Sequence, residues 1–502
     1  MALSSALCYD SKTVVLSLLG TYFGGLVVDH FIFGINIKRR VCVISNQLEP
    51  IVNYVLRELH SGATLNEIIG AYDRTPKMEM VTIVDQNEYK KQMDYVRTRL
   101  THSLEVSAIG KKLGEYVFRK LKARGVDPWF ESHTEKDFSD VLLCAGLVHD
   151  IGNPAFGHFG EYAIREWFQN HLHELQIGGV PVKNVLSKWQ IDDLMHFEGN
   201  AQSLRLLSKT PYLGRYHGFN LSYKILGSIM KYPVSSHELE NSIYRKNGYH
   251  YSVEDLFRKL DHEMGLSGSR HPLSFLLEAA DDIAYRTSDL EDAMVKKVIT
   301  YQQIQDIFQQ QKVRNKCYDA DSDACIAKLS AFYADELNRN GRNPELTAVQ
   351  RWSQFVQKIM IEEAGESFVR HYCLLMNGTF TGDLFDGTFS GYLIEAISGL
   401  CEKYIYTSSV KTKTELFGRR VIHSLLDQFL PAALLYDTGE KMTFIERRTM
   451  DTVSGFYKSM YHAQAQTASA EDKLYLRILM ITDFISGMTD NYAKRLYREL
   501  NV

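Results

Sequence analysis

Four short segments of the chain combine histidine with carboxylate, or carboxylate with tyrosine, at spacings suited to metal binding or proton transfer. They are residues 97–106 (RTRLTHSLEV), 147–161 (LVHDIGNPAFGHFGE), 196–202 (HFEGNAQ) and 278–289 (EAADDIAYRTSD). The second segment contains His149-Asp150, placed directly after an apolar run. Two adjacent ionisable groups at the end of a buried helix are costly unless they are paired or bind a metal. The pair therefore favours a metal site over the alternative of a packed core histidine.

Two further spacings place polar groups side by side. His158 and Glu161 lie three residues apart, and on a helix this spacing lets a carboxylate orient an imidazole for proton transfer. Asp281, Tyr285 and Asp289 recur every four residues, so a helix would present all three on one face. Such a face is often solvated, but beside a metal site it is better suited to lining a pocket.

A mixed set of imidazole and carboxylate ligands suits Mg²⁺, Mn²⁺, Fe²⁺ or Co²⁺ better than a metal that prefers thiolates. Such an ion lowers the pKa of bound water and so supplies a hydroxide for hydrolysis. A phosphate-bearing substrate would also require nearby cations. The candidates are Arg97, Arg99, Lys231 and Arg286.

The composition agrees with a helical protein of a reducing compartment. Ten prolines among 502 residues predict long uninterrupted helices, because proline removes a backbone donor and clashes with the preceding turn. The seven cysteines are scattered and form no CxxC pair, which argues against a disulfide framework or a thiolate zinc site and favours the cytoplasm. The net charge of −4 provides no overall positive field, so a polyanionic partner would need a local basic cluster.

An apolar N-terminal segment, residues 1–37, precedes these motifs. Its residues 13–28 carry no charge, but sixteen residues are fewer than the roughly 20 needed to span a bilayer. A buried helix and a membrane-associated segment within 13–37 stay open as alternatives.

Residues 38–94 predict a small α+β module appended to the rest of the chain. The predicted strands lie at 41–44 and 78–84, and the predicted helices lie near 51–59 and 86–95. Together with the apolar segment, this module resembles the C-terminal end of YitT-type membrane proteins, which implies a ligand-binding or regulatory role.

From residue 95 onward, apolar residues recur every three or four positions and Gly and Pro are sparse, which predicts a mainly α-helical domain over 95–502. We expect the catalytic core over 95–300 and a further helical part over 301–502. The more polar stretch 315–343 predicts a mobile insertion between helices.

This domain resembles the deoxyguanosinetriphosphate triphosphohydrolase family of HD-domain metal phosphohydrolases. The matching stretches follow the family's order: RTRLTHSLEV, HDIGNPAFGHFGE, FEGNAQSLRLL, MKYP, HPLSFLLEAADDIAYRTSDLEDA and DFISGMTDNYA. The resemblance implies a fold built as an HD-domain helical bundle. It also implies the metal ligands His102, His149, Asp150 and Asp281, with Mg²⁺ or Mn²⁺ as the ion and Fe²⁺ or Co²⁺ as alternatives.

The same resemblance implies roles for residues around the metal. His158 would be the general acid toward the leaving 5′-oxygen, Glu161 its partner, and His196 a further active-site histidine. The implied phosphate contacts are Arg99, Asn200 and Lys231. The implied deoxyribose contacts, which would reject ribonucleotides, are Tyr285 and Asp289.

The implied reaction is attack of a metal-bound water on the α-phosphorus of dGTP, or of another dNTP, releasing deoxynucleoside and tripolyphosphate. The family also implies a homo-oligomer, often a hexamer, and an effector such as single-stranded DNA or a dNTP. One alternative is an HD phosphohydrolase acting on another nucleotide, such as a 5′-nucleotidase. Another is an impaired, nucleotide-binding regulatory protein, because the YitT-like module stands where the family carries an F-R-R-L…K-T-Q segment of the nucleotide pocket.

Overall fold

The computed structural model describes residues 39–44, 52, 63–69, 76–84, 99–210, 218–312, 320–339, 343–407 and 409–501. The chain divides into two compact units, residues 1–101 and residues 102–502. The predicted apolar segment 1–37 lies outside the described residues. Among the helices that the structure describes, none combines the length and the apolar character needed to cross a bilayer.

The first unit contains a three-stranded antiparallel sheet with the strand order β1-β3-β2. Its strands are β1 (Arg39–Ile44), β2 (Ala63–Ile69) and β3 (Pro76–Val84). Strands were predicted where β1 and β3 lie, whereas β2 was not predicted. The predicted helix near 51–59 lies outside the described residues except for the helical Val52, and the helix near 86–95 lies outside them entirely.

The second unit is built from helices, as the periodicity predicts. Its first helices are α1 (Arg99–Arg124), α2 (Trp129–Ser132), α3 (Glu135–Val148), α4 (His158–His171), α5 (Lys188–Met195), α6 (Gly199–Lys209), α7 (Tyr223–Ile229), α8 (Glu254–Met264) and α9 (Pro272–Val295). A small antiparallel ribbon pairs β4 (Gln176–Ile177) with β5 (Val180–Pro181) between α4 and α5.

Helices continue through the C-terminal half. They are α10 (Tyr301–Lys312), α11 (Ala320–Asn338), α12 (Pro344–Arg370), α13 (Tyr372–Met376), α14 (Phe389–Leu400), α15 (Ser409–Leu435), α16 (Phe444–Thr452), α17 (Gly455–Ala465), α18 (Ala470–Ser486) and α19 (Asp490–Asn501). A π-helical turn, Cys401–Tyr406, follows α14 directly.

The prediction of a mobile insertion over 315–343 is wrong for its greater part. Residues 320–338 form α11, which packs along α12. Leu329 is buried in this contact, and Arg351 of α12 binds the carboxylates of Asp335 and Glu336 at 2.6 and 2.7 Å. The polar residues that looked like a loop therefore form the solvated and ion-paired faces of an amphipathic helix.

Among the described residues, the buried apolar side chains form three clusters. The first joins α4 and α5 to α15, α17, α18 and α19. The second joins α1, α3 and α6–α9 to the C-terminal half of α12. The third joins the end of α9 to α10, α11, α14 and the start of α12. Helices α9 and α12 pack along each other and contribute to both the second and the third cluster, so they hold these two parts of the bundle together.

Helices α1 and α3 approach each other closely because glycines line their contact. A Cβ atom on Gly146 would lie 2.6 Å from Cα of Ser107, and one on Gly114 would lie 2.9 Å from Cα of Ser139. Both distances are shorter than real Cβ contacts. The separation of the two helices is therefore set by backbone atoms.

Candidate metal centre

Three helices bring the candidate metal ligands together. His102 lies in the first turn of α1, His149 directly follows the end of α3, and Asp281 lies in the middle of α9. One ligand atom of each of these residues lies within 4.8 Å of the others. Asp281 Oδ1 is 3.1 Å from Nε2 of His102 and 3.5 Å from Nε2 of His149. The arrangement is a compact pocket of two imidazoles and a carboxylate.

Asp150 adds a second carboxylate to this pocket. Its Oδ1 lies 3.5 Å from Nε2 of His149, and its Oδ2 lies 4.0 Å from Nε2 of His102. The side-chain amide of Asn153 donates a hydrogen bond of 2.6 Å to Oδ1 of Asp150. The carboxylate is therefore oriented by a residue that sequence reasoning did not single out.

The tautomer of His149 is fixed by the backbone. The carbonyl of Gly146 can only accept a hydrogen bond, and it lies 2.8 Å from Nδ1, so Nδ1 carries the proton. Nε2 therefore presents its lone pair. This atom is buried and has no hydrogen-bond partner among the described residues. A buried lone pair aimed between two carboxylates fits a divalent cation, which would satisfy it.

The charges around the pocket also favour a cation. Burial opposes protonation of His149, but the carboxylates of Asp150 and Asp281 outweigh it and raise the pKa of His149. Burial likewise opposes ionisation of Asp281, yet the Lys231 ammonium, the hydrogen bond with His102 and the nearby His149 imidazole hold its pKa well below the usual value. The Asp281 carboxylate is therefore charged, and the field that favours a proton on His149 favours a metal ion in its place.

Lys231 lies at the edge of this pocket. Its Nζ is 3.0 Å from Oδ2 of Asp281. Burial disfavours the charged ammonium, but the carboxylates of Asp281 and Glu278 outweigh it and raise the pKa of Lys231. The lysine is therefore charged and places a positive group beside the candidate ligands.

A histidine–carboxylate pair lies on the first turn of α4. Nδ1 of His158 donates a hydrogen bond of 3.0 Å to Oε2 of Glu161. The histidine side chain is 77% exposed, whereas that of Glu161 is 1% exposed. The hydrogen bond to Glu161 raises the pKa of His158, so the imidazole can hold a proton on Nε2 and give it to a bound group.

A second buried carboxylate, Glu198, lies near this pair and was not predicted. Nζ of Lys246 is 3.0 Å from its Oε1, and Nη1 of Arg165 is 3.6 Å from its Oε2. Burial and the neighbouring Glu161 carboxylate raise the pKa of Glu198. The two cations compensate part of the repulsion between the two buried acids.

Gly199 joins the metal pocket to the His158–Glu161 pair. Its N–H donates a hydrogen bond of 3.1 Å to Oε1 of Glu161. A side chain at this position would collide with Oδ1 of Asn153 and with Oε1 of Glu161. Asn153 also donates the hydrogen bond that orients Asp150. Gly199 therefore lies against Asn153, which supports the metal pocket, and against Glu161, which supports His158.

Comparisons with known proteins identify the relatives of this chain. A family model described as HD domain matches residues 99–178. A deoxyguanosinetriphosphate triphosphohydrolase-like protein of Listeria monocytogenes is 39% identical over 417 residues, which are 82% of this chain and 88% of that protein. A protein of the same name from Pseudomonas aeruginosa is 30% identical, with 86% and 90% covered. The chain belongs to the deoxyguanosinetriphosphate triphosphohydrolase family.

A third relative of this chain is the deoxyguanosinetriphosphate triphosphohydrolase of Cronobacter sakazakii. It is 30% identical over 455 residues, which cover 81% of this chain and 87% of that protein. Membership of the triphosphohydrolase family confirms the resemblance drawn from the motifs, and with the HD-domain match it confirms the mainly helical fold. The resemblance of the N-terminal module to YitT-type proteins stays a prediction.

The predicted deoxyribose contacts of the triphosphohydrolase family lie on α9, one and two turns beyond Asp281. The ring of Tyr285 meets the ring of His102 edge-on, with 6.5 Å between centroids. Its hydroxyl lies 3.4 Å from that of Tyr406. Burial raises the pKa of Asp289, and a hydrogen bond from Tyr285 opposes this effect in part. Tyr285 thus lies beside the candidate ligand His102.

Three other residues predicted from the triphosphohydrolase family are His196, Asn200 and Arg99. His196 directly follows α5 and is exposed, and its Nδ1 donates to the carbonyl of Asp192 on that helix at 3.0 Å. The amide of Asn200 donates to Oε1 of Glu198 at 3.0 Å, which places it beside the His158–Glu161 pair. Arg99 begins α1, and its side chain lies outside the described residues.

Proposed function

We propose that this protein hydrolyses dGTP to deoxyguanosine and tripolyphosphate with the help of a divalent metal ion. The observation that carries the proposal is the buried, unpartnered Nε2 of His149, which faces the carboxylates of Asp150 and Asp281 in a member of the triphosphohydrolase family. The names of the relatives supply the substrate. The pocket supplies a chemical reason for metal-dependent phosphate chemistry at this position.

The proposed metal ligands are His102, His149, Asp150 and Asp281. When bound, a divalent cation lowers the pKa of water and stabilises negative charge on phosphate oxygens. Two imidazoles with two carboxylates suit Mn²⁺, Fe²⁺ or Co²⁺ and are also compatible with Mg²⁺. The identity of the ion is part of the proposal and is open to direct measurement.

The proposed role of His158 is to protonate the leaving 5′-oxygen of deoxyguanosine. The Nδ1–H bond to Glu161 leaves Nε2 to carry the transferred proton. The raised pKa of His158 favours the protonated imidazolium that donates this proton, and the 5′-oxygen leaves far more readily as an alcohol than as an alkoxide. Glu161 compensates the positive imidazolium and fixes the plane of the ring.

The proposed substrate contacts surround these groups. Lys231 would bind phosphate oxygens with its charged ammonium. Arg99 and Asn200 would also contact phosphate oxygens, through a guanidinium and a side-chain amide. Tyr285 and Asp289 would contact the deoxyribose. A tyrosine ring close to C2′ would leave too little space for a 2′-hydroxyl and would disfavour ribonucleotides.

The full chain can be tested with dGTP in the presence of Mn²⁺ or Mg²⁺, the products being separated by anion-exchange chromatography. The expected products are deoxyguanosine and tripolyphosphate. Formation of dGMP and pyrophosphate would refute the proposed bond cleavage, and hydrolysis of nucleoside monophosphates in place of dGTP would favour a 5′-nucleotidase. Binding of dGTP and metal without turnover would favour a regulatory protein.

A pair of matched variants tests the ligand assignment. Asp150→Asn keeps the shape of the side chain and removes its charge, so we expect metal content and turnover to fall together. Asp140→Asn is the control, because Asp140 lies on α3 and is paired with the surface residue Lys136 at 3.9 Å. Full metal content in the Asp150 variant, measured by mass spectrometry, would contradict the assignment.

A further inference from the structure

The segment DFISGMTDNYA joins α18 to α19 and has no role in the proposed chemistry. Two of its carboxylates make long-range bonds. Asp490 binds the loop before His158, and Asp483 binds α6, the helix whose first N–H donates to Glu161. We infer that residues 483–490, which we name the C-terminal brace, position the His158–Glu161 pair for proton transfer. The inference rests on the proposed function for its catalytic meaning, and its structural part is testable separately.

The first contact of the brace holds the loop that precedes His158. Oδ1 of Asp490 accepts a hydrogen bond of 2.9 Å from the backbone N–H of Phe156. Phe156 has a φ of 68°, in the left-handed region that a bulky residue rarely adopts. Such a conformation persists only where the surroundings hold it. Asp490 is one of the groups that hold it, two residues before His158.

The ring of Phe156 is held from two further sides. It packs against Gly418 of α15, where an added Cβ atom would lie 2.8 Å from the ring. Nζ of Lys494, one turn beyond Asp490 on α19, lies 5.5 Å from the centre of the ring. Helix α19 therefore contacts both the backbone and the side chain of Phe156, and it fixes the direction in which the chain enters α4.

The second contact of the brace holds the helix that supports Glu161. Asp483 forms a buried two-point ion pair with Arg205 of α6, with distances of 2.9 Å to Nε and 2.8 Å to Nη2. Gln202, also on α6, donates to Oδ1 of Asp483 at 2.7 Å and to Oγ of Ser486 at 2.9 Å. These bonds fix α6 against α18.

The fixed helix α6 begins at Gly199, whose N–H donates to Oε1 of Glu161. The brace thus acts on the pair from both sides: Asp490 sets the backbone before His158, and Asp483 sets the helix behind Glu161. The His158 side chain is largely exposed, so its direction depends on its backbone and on the bond to Glu161. Loss of the brace would therefore impair proton transfer more than it impairs substrate binding.

The decisive variant is Asp490→Ala, which removes the acceptor for Phe156. With dGTP, we expect kcat to fall about tenfold or more while KM changes less than about twofold, since general-acid catalysis contributes about 10²–10⁴-fold. The same variant is assayed with the dGTP analogue that carries sulfur at the bridging 5′-position. A thiolate leaves without a proton, because its pKa is far below that of an alcohol, so we expect the variant to be close to the wild-type rate with this analogue.

Asp490→Asn keeps an oxygen acceptor at the same place and is expected to retain most of the activity. Asp472→Ala is the matched control, because Asp472 lies on α18 and bonds to Gln190 of α5 at 2.8 Å. It should leave the ratio of the two substrates unchanged. Equal losses with dGTP and with the sulfur analogue in Asp490→Ala would overturn the inference. Where the alanine variant does not fold, Asp490→Glu displaces the acceptor by one methylene and should produce the same selective loss.

Hydrogen–deuterium exchange gives a readout that does not depend on turnover. In Asp490→Ala we expect the amide of Phe156 and the following residues through Glu161 to exchange at least about tenfold faster, since the amide loses its acceptor. Unchanged exchange would overturn the brace even if activity were lost. A wild-type protein that does not hydrolyse dGTP would instead overturn the proposed function and leave the exchange result standing.

Discussion

Gly199→Ala should inactivate the enzyme with only a modest loss of stability. The added Cβ would collide with Oδ1 of Asn153 and Oε1 of Glu161, whereas ordinary contacts at that point are 3.4 Å or longer. The two groups must therefore retreat by about 1 Å. Glu161 would lose its hydrogen bond from the Gly199 amide, a bond to a buried charged group that contributes about 1.5–3 kcal/mol.

The effect on catalysis should be larger than the effect on folding. A displacement of about 1 Å in a catalytic group can lower the rate about 10²-fold. We therefore expect kcat for dGTP to fall about 100-fold or more in Gly199→Ala, while the free energy of unfolding falls by about 2–3 kcal/mol. Steady-state kinetics and chemical denaturation of the purified variant measure the two quantities.

Two other glycine variants serve as controls. Gly365→Ala brings a Cβ into the ring of Tyr116, between α12 and α1. It should lower the free energy of unfolding with little effect on kcat for dGTP. Gly455→Ala meets open space on α17 and should be neutral or slightly stabilising. A kcat of Gly199→Ala within about threefold of the wild-type value would contradict the expected displacement of Glu161. An equal loss of activity in Gly365→Ala would contradict it as well.

His149→Ala should lose its bound divalent metal, measured by mass spectrometry of the dialysed protein, and a full complement of metal would contradict the assignment. Asp483→Ala leaves Arg205 buried and unpaired, so the free energy of unfolding in urea should fall by about 3–5 kcal/mol, and a value within 1 kcal/mol of wild type would disprove the role of the pair. His158 acts as an acid only when protonated, and Glu161 raises its pKa, so activity should fall as the pH rises through that pKa. Glu161→Gln should shift this loss of activity to lower pH. An unshifted pH–rate profile would count against the pair.

The parts of the site that the sequence predicts are those whose signals are local. His149-Asp150 stands out because two ionisable groups follow an apolar run, and the residue three before His149 supplies the carbonyl that fixes its tautomer. The spacing of His158 and Glu161 likewise predicts the bond between them. His102 and Asp281 could be assigned only through the family resemblance, because the contact between them joins residues 179 positions apart.

The residues that were missed act over long separations or through the backbone. In the sequence, Gly199 looks like an ordinary first residue of a helix. Its importance comes from the side chains of Asn153 and Glu161, which leave no space for a Cβ atom at this position. Asp490 bonds to a backbone amide 334 residues away, and no local periodicity reports such a contact. Asp483 did leave a signal, since a single carboxylate in the apolar run ILMITDFI predicts a buried and therefore paired charge. The partner on α6 could not be read from that run.

The bond between Phe156 and Asp490 also sets an order of events during synthesis. Protein chains grow at about 5–20 residues per second, so the residues around Asp490 are made roughly 20–70 s after those around Phe156. By then Asp281 has also been made, and the candidate metal pocket has all four of its side chains. A nascent chain thus contains every proposed metal ligand well before it contains the acceptor that holds the loop preceding His158. In the growing polypeptide, the residues of the candidate cation site are complete before the residue that positions the proposed proton donor is made.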